Sequence, residues 1–160
     1  KNDLKAIEMF EQTEGVLKQW AEYKMGKMYE NEAAPYKDIT LAATHFCKAA
    51  KLGNEFAQYK LAKAYLQGHG AEASTPKAIT LFSHLVQSQN KMTKNAQLDI
   101  WSEYYLGKIY LYGLGIERDP AKGLELLEHA AQNDCEPAEK LLQRYKQYRA
   151  KSTVHMEVIK

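Results

Sequence analysis

Three stretches of this chain superimpose without a gap: residues Trp20–Tyr29, Phe56–Tyr65 and Trp101–Tyr110. Each opens on an aromatic residue and continues with Tyr23, Tyr59 or Tyr104, a small Gly26, Ala62 or Gly107, a basic Lys27, Lys63 or Lys108, and a closing tyrosine. A degenerate fourth copy runs from Pro137 through Leu142 to Lys146, so the copies start 36, 45 and 36 residues apart (20, 56, 101, 137). A unit of this length cannot bury its own apolar face. It folds only when neighbouring copies stack on it, and this recurrence therefore constrains the architecture more than composition does.

A second unit alternates with the first. Asp38 to Ala50 aligns with Ser74 to Val86 and with Asp119 to Ala131. The longer spacing of 45 comes from nine extra residues around Gln87 to Leu98, an elongated loop or an extension of a helix end. Both units have helical periodicity. Ala57, Leu61, Ala64 and Tyr65 share one face, as do Ala78, Ile79, Phe82 and Leu85. Ser74 and Asp119 stand where an N-cap oxygen is expected, and Pro76 and Pro120 suit a first helical turn. Gly68 with Gly70, and Gly113 with Gly115, punctuate the chain where a helix must stop. The expected fold is all-α, an α-solenoid of antiparallel helix pairs with about seven to eight helices.

The pattern Ala57, Tyr59, Leu61, Ala62, Tyr65, Gly68, Gly70 followed by Lys77 and Ala78 resembles the Sel1-like repeat, a relative of the tetratricopeptide repeat. Tyr104, Leu106, Gly107, Tyr110, Gly113, Gly115, Ile116, Asp119, Ala130 and Ala131 match it best. The first copy departs from it, with Glu32 and Ala34 in place of the two glycines. The expected organisation is a half-repeat at 1–19, repeats at about 20–55, 56–100 and 101–136, a capping helix at 137–150 and a tail at 151–160 that is open to disorder. Ala6, Ile7 and Phe10 fall on Ala42, Ala43 and Phe46 after a shift of 36, so the chain opens on a second-helix segment. With Lys1 in place of methionine, this reads as a piece of a longer protein.

Chemistry-bearing constellations are absent from the sequence. His45, His69, His84, His129 and His155 have no metal-ligand spacing, and only His84 and His129 share a register position. The Gly-x-Gly pairs lack the preceding strand of a phosphate-binding fingerprint. Cys47 reads as a small buried hydrophobe beside Phe46. The two cysteines do not form the per-repeat pair of cysteine-rich Sel1-like proteins, so the function of those secreted relatives does not transfer. No catalytic residue, cofactor or metal is expected. No segment has the length of a membrane span or the layout of a signal peptide, and a cytoplasmic, reducing setting is the expectation.

The resemblance implies a partner-binding role and directs attention to the first helix of each pair, which lines the concave face in tetratricopeptide-like arrays. The candidate surface comprises an aromatic column of Trp20, Phe56 and Trp101, a column of Tyr23, Tyr59, Tyr104 and Lys140, and a basic column of Lys27, Lys63, Lys108 and Arg144. One reading makes these tyrosines packing residues and the lysines a solvated face partly neutralised by Glu22 and Glu103. The other makes them an aromatic-walled groove with a basic rail. Such a groove suits a protein or peptide partner, an acidic one in particular, or a single nucleic-acid strand. Self-association is a further option. The leading expectation is a non-catalytic protein–protein interaction scaffold. The alternative is an accessory domain like the Sel1-like repeats appended to mobilisation relaxases of bacterial conjugative elements, associating with nucleic acid or a relaxosome. The net charge of +2 selects neither.

Overall fold

The computed structural model describes residues 2–88 and 96–157, with the side chains at 2–4, 16 and 151–157 set aside. Eight α-helices follow one another among the described residues: α1 (Asn2–Glu11), α2 (Lys18–Glu30), α3 (Ile39–Lys51), α4 (Glu55–Gln67), α5 (Thr75–Gln87), α6 (Ala96–Tyr112), α7 (Pro120–Gln132) and α8 (Glu136–Glu157). A short 3-10 turn, Gly15–Leu17, precedes α2. The architecture is all-α, of the helical-repeat solenoid class.

The chain divides into two compact units, 1–94 and 95–160. In the first unit α1 packs on α2, α2 on α3, α3 on α4, and α4 on α5. In the second, α6 packs on α7 and α7 on α8. Residues 89–95, the middle of the insertion, lie outside the described residues. The five residues 96–100 lengthen α6 ahead of Trp101, so that part of the insertion extends a helix.

The apolar periodicity becomes core. Ala42, Phe46, Ala49, Ala57 and Leu61 form one cluster in the first unit. Leu111, Leu127, Ala130, Cys135, Ala138, Leu141 and Leu142 form another in the second. The small-residue column marks where paired helices cross closely. A Cβ placed on Gly26 would sit 2.6 Å from the Phe46 ring, and one on Gly107 would sit 2.7 Å from Leu127 Cγ. Gly123, on the facing helix, would bring a Cβ within 2.5 Å of the Leu111 backbone nitrogen.

Each pair is closed by the same backbone hydrogen bond. The N–H groups of Asp38, Ser74 and Asp119 donate to the carbonyls of Tyr29, Tyr65 and Tyr110 at 3.0, 2.9 and 2.9 Å. In the second and third pairs the chain reaches this closure through left-handed glycines, Gly68 (φ 67°) and Gly113 (φ 65°). The first turn reaches it without them. Asn31 caps the end of α2 in extended backbone, its side-chain oxygen accepts from Ala33 N–H at 3.1 Å, and Lys37 pairs with Glu32.

One expectation about caps needs correction. Asp38, Asn54 and Asp119 each cap a helix through a side-chain oxygen, but Ser74 does not. Pro76 removes one of the two N–H groups that a cap oxygen could accept from, and α5 starts on its backbone bond from Ala78 N–H to Ser74 O at 3.1 Å. At the other end, α8 runs from Glu136 to Glu157, and residues 158–160 lie outside the described residues.

Candidate interaction surface

In the first unit, α2 and α4 bring Trp20, Tyr23 and Phe56 together. The Trp20 and Phe56 ring centroids are 5.9 Å apart, and Tyr23 lies 6.2 Å from Trp20 and 5.8 Å from Phe56. These aromatics bridge two successive repeats. Trp20 remains 43% exposed, and it is the one of the three that presents substantial aromatic surface to solvent. Tyr23 also meets Phe46 at 6.0 Å, and Tyr59 meets Phe82 edge-on at 6.0 Å, so both tyrosines are packing residues on one side. Burial, together with the Glu30 carboxylate, pushes the Tyr23 phenol above its ordinary range.

The basic column sits one turn beyond the tyrosines. Lys63 Nζ lies 5.8 Å from the Tyr59 ring centroid, within cation–π reach. Lys27 is drawn instead to Glu30, 3.8 Å away, and Glu30 also takes Lys60 at 2.7 Å. Positive charge on this face is therefore partly cancelled at Lys27, by Glu30 and not by Glu22.

In the second unit, Trp101 meets Tyr104 edge-on at 5.8 Å, and Tyr104 meets Tyr105 at 5.3 Å. Lys108 Nζ lies over both tyrosine rings, 5.4 Å from Tyr104 and 6.0 Å from Tyr105. Burial, then the neighbouring Tyr105 and Cys135, raises the Tyr104 phenol. Lys140 pairs with Glu136 one turn earlier on α8, and Arg144 is exposed on the same helix.

Glu22 and Glu103 do not face the lysine column as expected. They are buried, at 4% and 8% exposure, and turn toward the second helix of their own pair. Glu22 Oε2 lies 2.7 Å from His45 Nδ1, and Glu103 Oε2 lies 2.6 Å from His129 Nδ1. Gln58 stands at the same register position and meets His84 Nδ1 at 3.1 Å. Every helix pair thus carries one polar clamp between its members. The signal was present in sequence, as a Glu, Gln, Glu column at 22, 58 and 103 beside the shared register of His84 and His129. His45 obscured it by standing three residues ahead of that register, where its ring also stacks on Tyr29 at 5.4 Å.

Cys47 is half-buried, not buried: α3 turns it toward a groove between α3 and α5. Among the described residues no cluster of His, Cys, Asp and Glu is arranged to hold a metal ion. No helix among them is long and apolar enough to cross a membrane.

The Sel1 repeat model matches residues 21–54, 56–83 and 102–135. Among solved structures, a Sel1 repeat protein from Oxalobacter formigenes is similar at 28% identity and a TM-score of 0.61, over 79% of this chain and 34% of that one. The protective antigen c5321 of uropathogenic Escherichia coli strains, which displays an SLR fold, is similar at 25% identity and a TM-score of 0.59, over 72% of this chain and 23% of that one. The chain therefore spans about a third of the first protein and a quarter of the second. No curated protein matches the sequence. With the repeat model covering more than half of its length, the chain belongs to the Sel1 repeat family.

Proposed function

We propose that this chain is a non-catalytic scaffold that holds a protein or peptide partner on the first-helix face of its repeats. The supporting observation is the Trp20–Phe56 contact, which joins two repeats in one aromatic surface and leaves Trp20 exposed. Large rigid aromatics of this kind contribute much of the binding energy at protein interfaces at little entropic cost. In the first unit the contact residues are Trp20, Tyr23, Lys27, Phe56, Tyr59 and Lys63; in the second they are Trp101, Tyr104, Lys108, Lys140 and Arg144. Lysines held over tyrosine rings favour a partner with carboxylates, which would accept hydrogen bonds from the ammonium while its apolar groups meet the rings.

Partner capture with wild type, Trp20→Ala and the Lys63→Glu, Lys108→Glu double variant tests this reading. Retained partner in both variants rejects the surface. Loss in both supports it, provided circular dichroism shows the helices intact.

A further inference from the structure

Between α3 and α5 the first unit carries a second surface, unlike the one above. An open groove of about 400 Å³ is lined by Cys47, Ala50 and Lys51 of α3, Leu61 and Tyr65 of α4, and Lys77, Thr80 and Leu81 of α5. Its floor is aliphatic and aromatic, and its edges are basic. Lys77 Nζ lies 5.2 Å from the Tyr65 ring centroid, with the ring supporting the charge at the groove margin. Lys51 and Lys77 are both exposed.

The charge pattern around the groove identifies the ligand class. Neither wall helix contains an aspartate or glutamate: Ile39–Lys51 and Thr75–Gln87 carry only lysine and histidine as charge-bearing groups. The equivalent helix of the third pair, α7, carries Glu125 and Glu128. An acidic ligand therefore meets attraction and no opposing carboxylate on α3 and α5.

The ligand's backbone is constrained as well. No strand edge exists among the described residues to pair an extended peptide, and the groove floor is apolar. An extended segment would bury unpaired N–H and C=O groups there, whereas a helix satisfies its own. We infer that this groove docks an acidic amphipathic helix of a partner protein, apolar side chains inward and carboxylates on Lys51 and Lys77.

The surface is separable from the first-helix face. Leu61 stands two residues from Tyr59, and Tyr65 two residues from Lys63, about 200° around α4 in each case, so the two faces of α4 serve different surfaces. A failure of one leaves the other standing.

The groove supplies its own reporter, because Cys47 lines it and Cys135, the other cysteine, is only 2% exposed. The probe is a fluorescent helix-forming peptide with leucines at i, i+3, i+4 and i+7 and glutamates on its other face. A matched peptide with lysine for every glutamate is the control. The acidic peptide should bind and slow maleimide labelling of Cys47. The lysine peptide, and the Lys51→Glu, Lys77→Glu variant with the acidic peptide, should each bind at least about tenfold more weakly. Thr80→Trp, which fills the groove from an exposed position, should abolish binding, while Lys63→Glu with Lys108→Glu should leave it unchanged. Absent binding, equal binding of both peptides, or binding without protection of Cys47 overturns the assignment. A concentration-dependent dimer that Thr80→Trp disrupts also overturns it, since the occupant is then a second copy of the chain.

Discussion

His45 Nδ1 and Glu22 Oε2 are 2.7 Å apart across the α2–α3 interface, with both side chains less than a tenth exposed. The equivalent pair in the third repeat, His129 with Glu103, is as short at 2.6 Å, yet the His129 side chain is 62% exposed. Geometry alone would rank the two contacts as equals. Burial does not. Removing His45 takes the short partner from a buried carboxylate and leaves it the looser Lys18 contact at 3.6 Å, which costs about 2 kcal/mol. His129 is itself largely in water, so its removal opens Glu103, with a side chain 10% exposed, to solvent, and the loss is smaller, about 1 kcal/mol. Urea unfolding of His45→Ala and His129→Ala should therefore give clearly unequal losses, and equal losses would show that the first clamp is not a buried pair in solution.

Gly107 and Gly123 face each other where α6 crosses α7, and the two differ in what an added methyl would strike. On Gly107 the nearest atom is Leu127 Cγ at 2.7 Å, with the Gly123 carbonyl oxygen next at 3.0 Å; on Gly123 all three nearest atoms are backbone, led by the Leu111 nitrogen at 2.5 Å. A side chain yields more readily than a backbone. Alanine also gains roughly 1 kcal/mol of helix propensity at either position. Gly107→Ala should accordingly cost about 1 kcal/mol net, within the overpacking range. Gly123→Ala should cost at least about 2 kcal/mol more, because helix α7 must move off α6. Thermal unfolding of the two variants checks the order, which is the substance of the prediction.

The helices, the turns at Gly68 and Gly113 and the close crossings at Gly26 and Gly107 were legible because each rests on a local rule: apolar period, left-handed backbone, small residue at a crossing. The clamps were not legible, because Glu22 and Glu103 look like ordinary surface acids until the facing helix supplies a histidine. Cys47 was misjudged for a related reason. Phe46 beside it points into the core, but one residue along a helix is a rotation of about 100°, enough to put the thiol at a groove. That residues 96–100 belong to α6 could not be fixed from the sequence either, since Asn, Lys and Gln suit a loop and a solvated helix end alike. As for the candidate surface, the sequence identified which residues share a register. It takes the fold to pack Tyr59 on Phe82 with Lys63 over its ring, and to bring Glu30 to Lys27.

Tyr23 and Tyr104 should leave a mark at alkaline pH. Burial raises both phenols above the ordinary value of 10.0, with Glu30 adding to it at Tyr23 and Tyr105 at Tyr104. The folded state thus holds these two protons more tightly than the unfolded chain does. Their contribution to stability is fully present below pH about 10 and is lost as pH rises through the raised folded values. Tyrosinate absorbance should show a late-ionising component that shrinks in Tyr23→Phe and again in Tyr104→Phe. A titration with no late component would contradict the burial of both rings.

The two thiols should differ sharply in reactivity. Cys135 is 2% exposed in the core of the second unit, and burial raises its thiol, outweighing the opposing backbone hydrogen bond from Ala138. Cys47 is half-buried at the rim of an open groove. Reaction with a disulfide reagent proceeds through the thiolate of an accessible thiol, so both access and proton affinity disfavour Cys135. Native protein at mildly alkaline pH should release about one equivalent of product quickly, with the second appearing only on unfolding. Cys47→Ser should remove the fast phase and Cys135→Ala the slow one. Cys135→Ala should also lower stability by about 1 kcal/mol, since it takes a sulfur from the cluster of Leu127, Ala138 and Leu142. Two thiols reacting together at the rate of Cys47 would mean that the α7–α8 junction opens far more readily than its packing implies.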